Sequence, residues 1–300
     1  MRYTKLKDMI VITDKTEFNI RQILDCGQIF RYVVNGNFAV VISTNHIAKI
    51  TEFADRIEIV TEDADYFVNF FDLDNDYNKI KKELVKDEFL RPCCEYGYGI
   101  RILKQDFFEM LVSFIISANN NIKRIKNSVN FLSKKFGTKI KLGKSISFIE
   151  NDLIECENGN NYYYAFPTLE QLKCASVKDY VEAGLGYRAE QLYDTIQKLN
   201  QDMIFDFKNM TTEDKYKFLL SLKGVGEKVA NCIMLFSESD MSSFPVDTWI
   251  NKVYNNLTNT NCNNRKEIEK ILKNKYKNYS GYAQQYFFYY YRENKINNNI

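Results

Sequence analysis

Histidine is almost missing from this 300-residue chain: His46 is the only one, while proline occurs three times and tryptophan once. A lone histidine argues against a zinc site. Cysteines stand at 26, 93, 94, 156, 174, 232 and 262, with no C-x-x-C pair and no regular spacing. That spacing rules against a cysteine-ligated iron–sulfur cluster and leaves reduced, mostly structural thiols as the expectation. Long apolar runs are lacking too. The longest, around Met110–Ala118, is far short of a membrane span, and the N-terminus lacks the basic, apolar, small-residue order of a signal peptide. A cytoplasmic protein with no membrane partner is expected. No Pro-rich or Ser-rich linker separates the parts, so the domains are expected to pack closely, in a monomer.

What is present is a hydrophobic content of 45%, enough to bury a sizeable core. The net charge of +2 hides an uneven distribution. Residues 51–100 carry 6 Lys/Arg against 13 Asp/Glu, whereas residues 101–150 carry 10 against 3. The second stretch attracts polyanions and the first repels them, although solvated faces of opposite sign would read the same way.

The first part reads as antiparallel sheet. FRYVV and NFAVVIS flank Asn35-Gly36, a hairpin signal because both turn residues tolerate positive φ, and HIAKITEF and RIEIVTE follow. This predicts a meander of three or four strands, ending in an acidic, aromatic helix near Asp63–Phe71. From about Arg101 the apolar period becomes helical. Ile122, Ile125, Val129, Leu132 and Phe136 form one stripe, and Gly137 stands where a left-handed C-terminal cap is expected. Ala189, Leu192, Ile196 and Leu199 form another, as do Ile250, Val253 and Leu257. Thr168 with Gln171, and Asn264 with Glu267, fit capping spacings. The stretch from Gly137 to Pro167, with its polar ENGNN tip, predicts a small hairpin or surface excursion, and the tail after Arg292 is expected to fray.

Residues 213–222 and 227–237 read as two helices joined by Lys223–Gly226, a connector with two glycines. Such a helix-hairpin-helix turn exposes backbone N–H groups at the start of its second helix, a site for a phosphate. The dinucleotide fingerprint G-x-G-x-x-G fails here, because Val229 stands at the third glycine position and a helix rather than a strand precedes the turn. Lys228 lies in the first turn of the second helix, where the macrodipole disfavours a cation by roughly 0.3–1 kcal/mol. The same field, with burial, favours the uncharged amine that acts as a nucleophile. A solvated lysine, or one contacting phosphate, is the simpler local reading. Nineteen residues on, Asp247 in FPVDTWINKV precedes a helical stripe and reads as an N-cap. A carboxylate fixed in that way can also stabilise positive charge or move protons near an amine.

LKGVGEKVANC followed by FPVDTW resembles the helix-hairpin-helix, Gly/Pro-Asp (HhH-GPD) superfamily of DNA glycosylases. CGQIFRY at 26–32, QDFFEMLVSFIISANNNIKRI at 105–125, GLGYRAEQL at 184–192 and GYAQQYFF at 281–288 look like its 8-oxoguanine DNA glycosylase branch, in the expected order from about residue 20 to 290. The resemblance implies an α+β fold: an antiparallel-sheet domain similar to half of the TATA-binding protein over residues 1–98, and two helical subdomains over 99–300 with the hairpin at 213–237. It implies a glycosylase that is also an abasic-site lyase, acting on duplex DNA containing 8-oxoguanine, with Lys228 as nucleophile and Asp247 as the assisting carboxylate.

In the base site, the resemblance makes Cys232 and Phe288 the two stacking faces, Gln284 the reader of the Watson–Crick edge, and Gly27 the carbonyl that meets the N7–H of 8-oxoguanine. Guanine offers an acceptor at that atom, so one carbonyl separates lesion from normal base. On the opposite strand it implies Asn119 as gap filler, Tyr187 as wedge, and Arg124 with Arg188 as donors to cytosine. Gly224 and Gly226 would carry the phosphate contact. No cofactor is required by the chemistry, although the family's hairpin binds a structural cation through carbonyls, here near Leu220, Leu222 and Val225. One departure stands out. Where animal members have a histidine that contacts phosphate, this chain has Trp249, which offers only an indole N–H. A non-enzymatic DNA-binding module would need only the hairpin. An alkyl-base glycosylase lacks the lysine, and an adenine glycosylase needs a cluster that Cys262, the one cysteine after Asp247, cannot build.

Overall fold

The computed structural model describes residues 1–143 and 151–294. Six antiparallel strands open the chain: β1 (Tyr3–Lys5), β2 (Met9–Ile12), β3 (Tyr32–Asn35), β4 (Phe38–Ser43), β5 (His46–Glu52) and β6 (Ile57–Thr61). They lie in the order β1-β2-β6-β5-β4-β3. The expected four-strand meander is β3 to β6, with Asn35 paired to Phe38 across the Asn-Gly turn. Two further strands precede it. MIVI of β2 is a run of four apolar residues, too short to stand alone, and pairing with β6 is what makes it a strand.

β4 is buried along nearly its whole length because both faces of the sheet are covered. Ala39 and Val41 face α1 (Ile20–Asp25) and α2 (Ala64–Phe70), together with Ile23, Leu24, Phe67 and Phe70. Val40 and Ile42 pack instead on Leu142, Leu153, Ile154 and Tyr163 of a small second sheet. That sheet is β7 (Lys139–Lys141), β8 (Glu155–Glu157) and β9 (Asn160–Tyr164), with Asn158-Gly159 at the tip of the expected excursion. α2 begins at Asp63, whose carboxylate accepts the Tyr66 N–H.

The remaining described residues are mainly helical: α3 (Tyr77–Leu84), α4 (Leu90–Tyr96), α5 (Phe107–Ser117), α6 (Ile122–Phe136), α7 (Leu169–Lys173), α8 (Val177–Glu182) and α9 (Arg188–Lys198). They continue as α10 (Gln201–Asn209), α11 (Thr212–Leu220), α12 (Glu227–Phe236), α13 (Thr248–Thr258), α14 (Arg265–Tyr276) and α15 (Ser280–Glu293). The longest apolar run of the sequence is the central helix. Every residue of α5 is buried, as expected of a helix that is hydrophobic all round. The capping box at Thr168 and Gln171 is complete, and Asn264 accepts the Glu267 N–H. Helix α15 runs through Glu293, and the tail from 295 onward lies outside the described residues.

Gly137 differs from expectation. It ends α6 with extended backbone, φ −75° and ψ 162°, not with a left-handed cap. Its reason for being glycine is space: a Cβ there would stand 2.1 Å from the Ala165 carbonyl oxygen. The cysteines are all free; Cys26, Cys93, Cys94 and Cys232 are buried, while Cys156 and Cys174 are exposed. No helix among the described residues is long and apolar enough to cross a membrane.

Two fully buried guanidiniums join the parts. Arg31 donates to the Thr44 and Tyr164 carbonyls and faces Glu109 of α5 at 3.8 Å. Arg101 donates to the carbonyls of Phe71, Glu17, Asp72 and Asn75, stacks over Tyr77 and lies 3.7 Å from the Glu17 carboxylate. Replacing Arg101 by Met leaves the buried Glu17 carboxylate, still held by the Tyr77 N–H and the Asn78 amide, without its cation and takes a donor from four carbonyls. Loss of one partner of a buried pair predicts a stability drop of about 3–5 kcal/mol, read as a lower urea midpoint. A drop below about 1 kcal/mol would show that Arg101 does not organise this junction.

Candidate active site

The hairpin forms where α11 ends at Ser221 and α12 begins at Gly226, a connection too short for any residue but glycine at 224. Gly224 has φ +79°, and an added Cβ would press on Ile115 at 3.1 Å and Gln191 at 3.3 Å. Gly226 is different. It has extended backbone, and a Cβ there would meet nothing within 4 Å. Its value is what it leaves bare: the N-cap has no side chain, so the first N–H groups of α12 stay open to an anion. Thr195 fixes the turn through the Lys223 carbonyl at 2.8 Å, and Val225 N–H closes it on the Leu222 carbonyl at 3.2 Å.

Lys228, the second residue of α12, is half-buried. Its amine lies 3.5 Å from the Ser117 hydroxyl and 5.3 Å from the centre of the Phe114 ring, both on α5. One turn later Cys232 is buried, and burial pushes its thiol up while the Lys228 charge opposes the shift. Asp247 caps α13 as the sequence predicts, accepting the Ile250 N–H at 2.9 Å. Burial raises the Asp247 pKa from its ordinary value; the Ile250 N–H, the Lys228 charge, the Trp249 backbone N–H and Arg265 resist that rise. Lys228, Cys232 and Asp247 thus share one electrostatic neighbourhood, built from the start of α12 and the start of α13.

A second group forms around Gly27. This residue has φ +80°, and an added Cβ would stand 3.0 Å from the Phe288 ring. Gln284 is buried one turn earlier on the same face of α15, where Gln285 Nε2 donates to its Oε1 at 2.8 Å. The third group lies at the surface. Asn119 is exposed with φ +48°, and Tyr187 is 60% exposed, with the Arg188 guanidinium stacked 4.6 Å from its ring. Arg188 itself is buried, and donates to the carbonyls of Ala118, Asn119 and Leu185. In this state its donors are therefore engaged by the turn between α5 and α6 and by Leu185 just ahead of α9. Arg124 is exposed in the first turn of α6, and Trp249 is half-buried with the Lys252 amine 5.8 Å from its ring.

What joins the Gly27 group to the lysine was not read from the sequence. Gln28, fully buried, donates to the carbonyls of Ile23 and Arg101 and accepts the Leu103 N–H. Gln105 donates to the Gln28 carbonyl at 2.8 Å, and its own N–H goes to the Phe236 carbonyl at the end of α12. The turn with Gly27 is thereby fixed to the helix that carries Lys228 and Cys232. Gln28, a polar residue between Cys26-Gly27 and Ile29-Phe30, was a readable signal, whereas Gln105 stands between Lys104 and Asp106 and gave none.

Comparisons with known proteins agree with this geometry. Residues 10–111 match the N-terminal domain of 8-oxoguanine DNA glycosylase, and residues 112–278 match the HhH-GPD superfamily of base excision DNA repair proteins. The crystal structure of a Clostridium acetobutylicum 8-oxoguanine glycosylase/lyase, bound to duplex DNA with cytosine opposite the lesion, superposes with a TM-score of 0.86 at 36% identity, covering 99% of each chain. An Arabidopsis thaliana N-glycosylase/DNA lyase is 30% identical over 63% of this chain, a match that spans 51% of the plant protein. A probable N-glycosylase/DNA lyase from Methanothermobacter thermautotrophicus is 29% identical over 73% of this chain and 70% of its own length. With both of its matched regions in order and its site glycines, lysine and aspartate in place, the chain belongs to the HhH-GPD superfamily, in the 8-oxoguanine DNA glycosylase branch.

Proposed function

We propose that the protein is a monomeric DNA glycosylase and abasic-site lyase that removes 8-oxoguanine from duplex DNA, preferentially opposite cytosine. The observation that carries this reading is the placement of the Lys228 amine against Phe114 and Ser117, in the electrostatic reach of a half-buried Asp247. The Asp247 cap by itself serves α13, and a module that only binds DNA does not require an amine beside that carboxylate.

In the proposed reaction the damaged nucleoside is flipped from the duplex, and its base stacks between Cys232 and Phe288 with Gln284 at its Watson–Crick edge. The Gly27 carbonyl accepts the N7–H that 8-oxoguanine has and guanine lacks. The Lys228 amine forms a bond to C1′, the bond from C1′ to the base breaks, and the base leaves with the bonding pair and gains a proton. Asp247 stabilises the positive charge on the sugar and moves protons. Opening of the sugar ring gives an imine between Lys228 and C1′. Loss of a C2′ proton then expels the 3′ phosphate and cuts the strand.

The exposed N–H groups at Gly226, with Gly224 shaping the turn, receive a backbone phosphate. The carbonyls of Leu220, Leu222 and Val225 are oxygen donors suited to a hard cation that would bridge hairpin and phosphate. The chemistry on this chain's residues does not depend on that ion. Arg124 and Arg188 would donate to N3 and O2 of the unpaired cytosine; in thymine N3 carries a proton. For Arg188 this requires exchange of the Ala118, Asn119 and Leu185 carbonyls for the base, and Tyr187 and Asn119 would occupy the opened stack.

Borohydride added during reaction with an 8-oxoguanine duplex is expected to trap a covalent adduct with the wild type and none with Lys228→Gln. No adduct with the wild type would sink the imine route. Excision is expected to be fastest opposite cytosine, with Arg124→Ala flattening the difference between the four opposing bases; an unchanged preference in that variant would remove Arg124 from the opposite-base site.

Asp247→Asn separates stability from catalysis. Asparagine keeps the cap, so α13 should still start normally. The raised carboxyl pKa means that Asp247 detracts from stability as pH rises through its folded-state value, and the penalty vanishes below the ordinary value of 3.8. The variant should therefore melt no lower than wild type at neutral pH, with the gap closing in acid, while base release slows about a hundredfold or more. A variant that loses stability relative to wild type progressively with rising pH would contradict the assignment.

A further inference from the structure

Arg292 is the feature of the base site that the reading above leaves unused. It continues the face of α15 that carries Gln284 and Phe288, each four residues from the next. Its guanidinium lies 5.1 Å from the centre of the Phe288 ring. Nη2 donates to the carbonyl of Asp25, two residues before Gly27, and Nε and Nη2 hold the Glu293 carboxylate at 3.1 and 2.9 Å. Asp25 is fixed on its other side, where its carboxylate accepts the Tyr32 hydroxyl at 2.7 Å, and the Lys126 amine sits 3.6 Å from the centre of that tyrosine ring. One cation therefore touches both the turn that presents Gly27 and the ring that packs on it.

The remaining nitrogen is the informative one. Nη1 is buried without a hydrogen-bond partner, and it lies 3.5 Å from where a Cβ on Gly27 would stand. Leaving such a donor buried and unpaired costs roughly 1–3 kcal/mol, more for a charged group. What sets this bare N–H apart from the unpaired Nε of Arg31 is its position against Gly27. The flipped base of the proposed function brings oxygen acceptors to the same edge, next to the Gly27 carbonyl.

We propose, on the basis of that reading, that Arg292 is a specificity-determining residue of the base site: it clamps the Gly27 turn to Phe288 and donates its free Nη1 N–H to an oxygen of the flipped 8-oxoguanine. Base recognition then uses a donor beside the Gly27 acceptor, and the pair matches the adjacent C8 oxygen and N7–H of the lesion. An abasic site presents neither group and does not use the clamp.

Single-turnover cleavage of two duplexes, one with 8-oxoguanine and one with an abasic site, tests this in wild type, Arg292→Met and Arg292→Lys. The ratio of 8-oxoguanine excision to abasic cleavage is expected to fall about tenfold to a hundredfold in Arg292→Met, the range for a lost hydrogen bond from a charged donor. Arg292→Lys, which restores a cationic donor, should recover part of that ratio. Equal losses on both duplexes in Arg292→Met, or no better ratio in Arg292→Lys, would overturn the proposal and leave a structural strut. Failure of the underlying reading is distinguishable, because it appears in the wild type as cleavage of neither duplex or of the abasic one alone.

Discussion

The hydrogen-bond chain through Gln28 and Gln105 is the constraint on which the site depends. The Gly27 turn on the sheet side and Lys228 on α12 belong to different parts of the fold, and either could shift without the other. Buried amides prevent this: Gln28 holds the 101–103 backbone, and Gln105 couples Gln28 to the end of α12. Inside a core an amide that loses one partner keeps its full desolvation cost, so the network holds one geometry or none. Arg101 and Arg31 reinforce the same junction from either side with charge. Positioning of Gly27 relative to Lys228 is thus a property of the core, not of a loop.

Charge placement at the chemistry follows the opposite principle, in that nothing there is at its most stable. Lys228 stands at the positive end of a helix, beside an aromatic face and a hydroxyl. Asp247 is buried enough to raise its pKa, although it is tied to α13 by the cap. The Lys228 charge favours the ionised form of Asp247 and so offsets part of the cost of its burial. Arg292, with a buried donor lacking a partner, fits the same pattern at the base site.

Much of this was legible in the chain. The Asn35-Gly36 hairpin, the helical stripes, the Thr168 capping box and the Asp247 cap follow from local rules, and Gly224 stands where the turn demands a positive φ. The misses are where distant segments meet. β1 and β2 are too short to be strands without β6 as a partner. Gly137 was read as a conformational glycine, yet its φ is ordinary and the carbonyl of Ala165 is the reason for it. Not visible in the sequence either were the carbonyls of Ala118 and Asn119, after α5, that hold the Arg188 guanidinium.

The sequence by itself determined the periodicities, the caps and the hairpin, together with the chemical types at the site, because these depend on residues within a turn or two of each other. The α+β division follows from the same local patterns. Tertiary structure decided which of those groups meet: that Phe288 packs on Gly27, that Phe114 and Ser117 of α5 receive the Lys228 amine, and that two glutamines lock the halves together. The physical reason is that burial and unpaired polar groups are properties of a closed core. A sequence states which donors and acceptors exist, and only the packed chain decides which of them find partners.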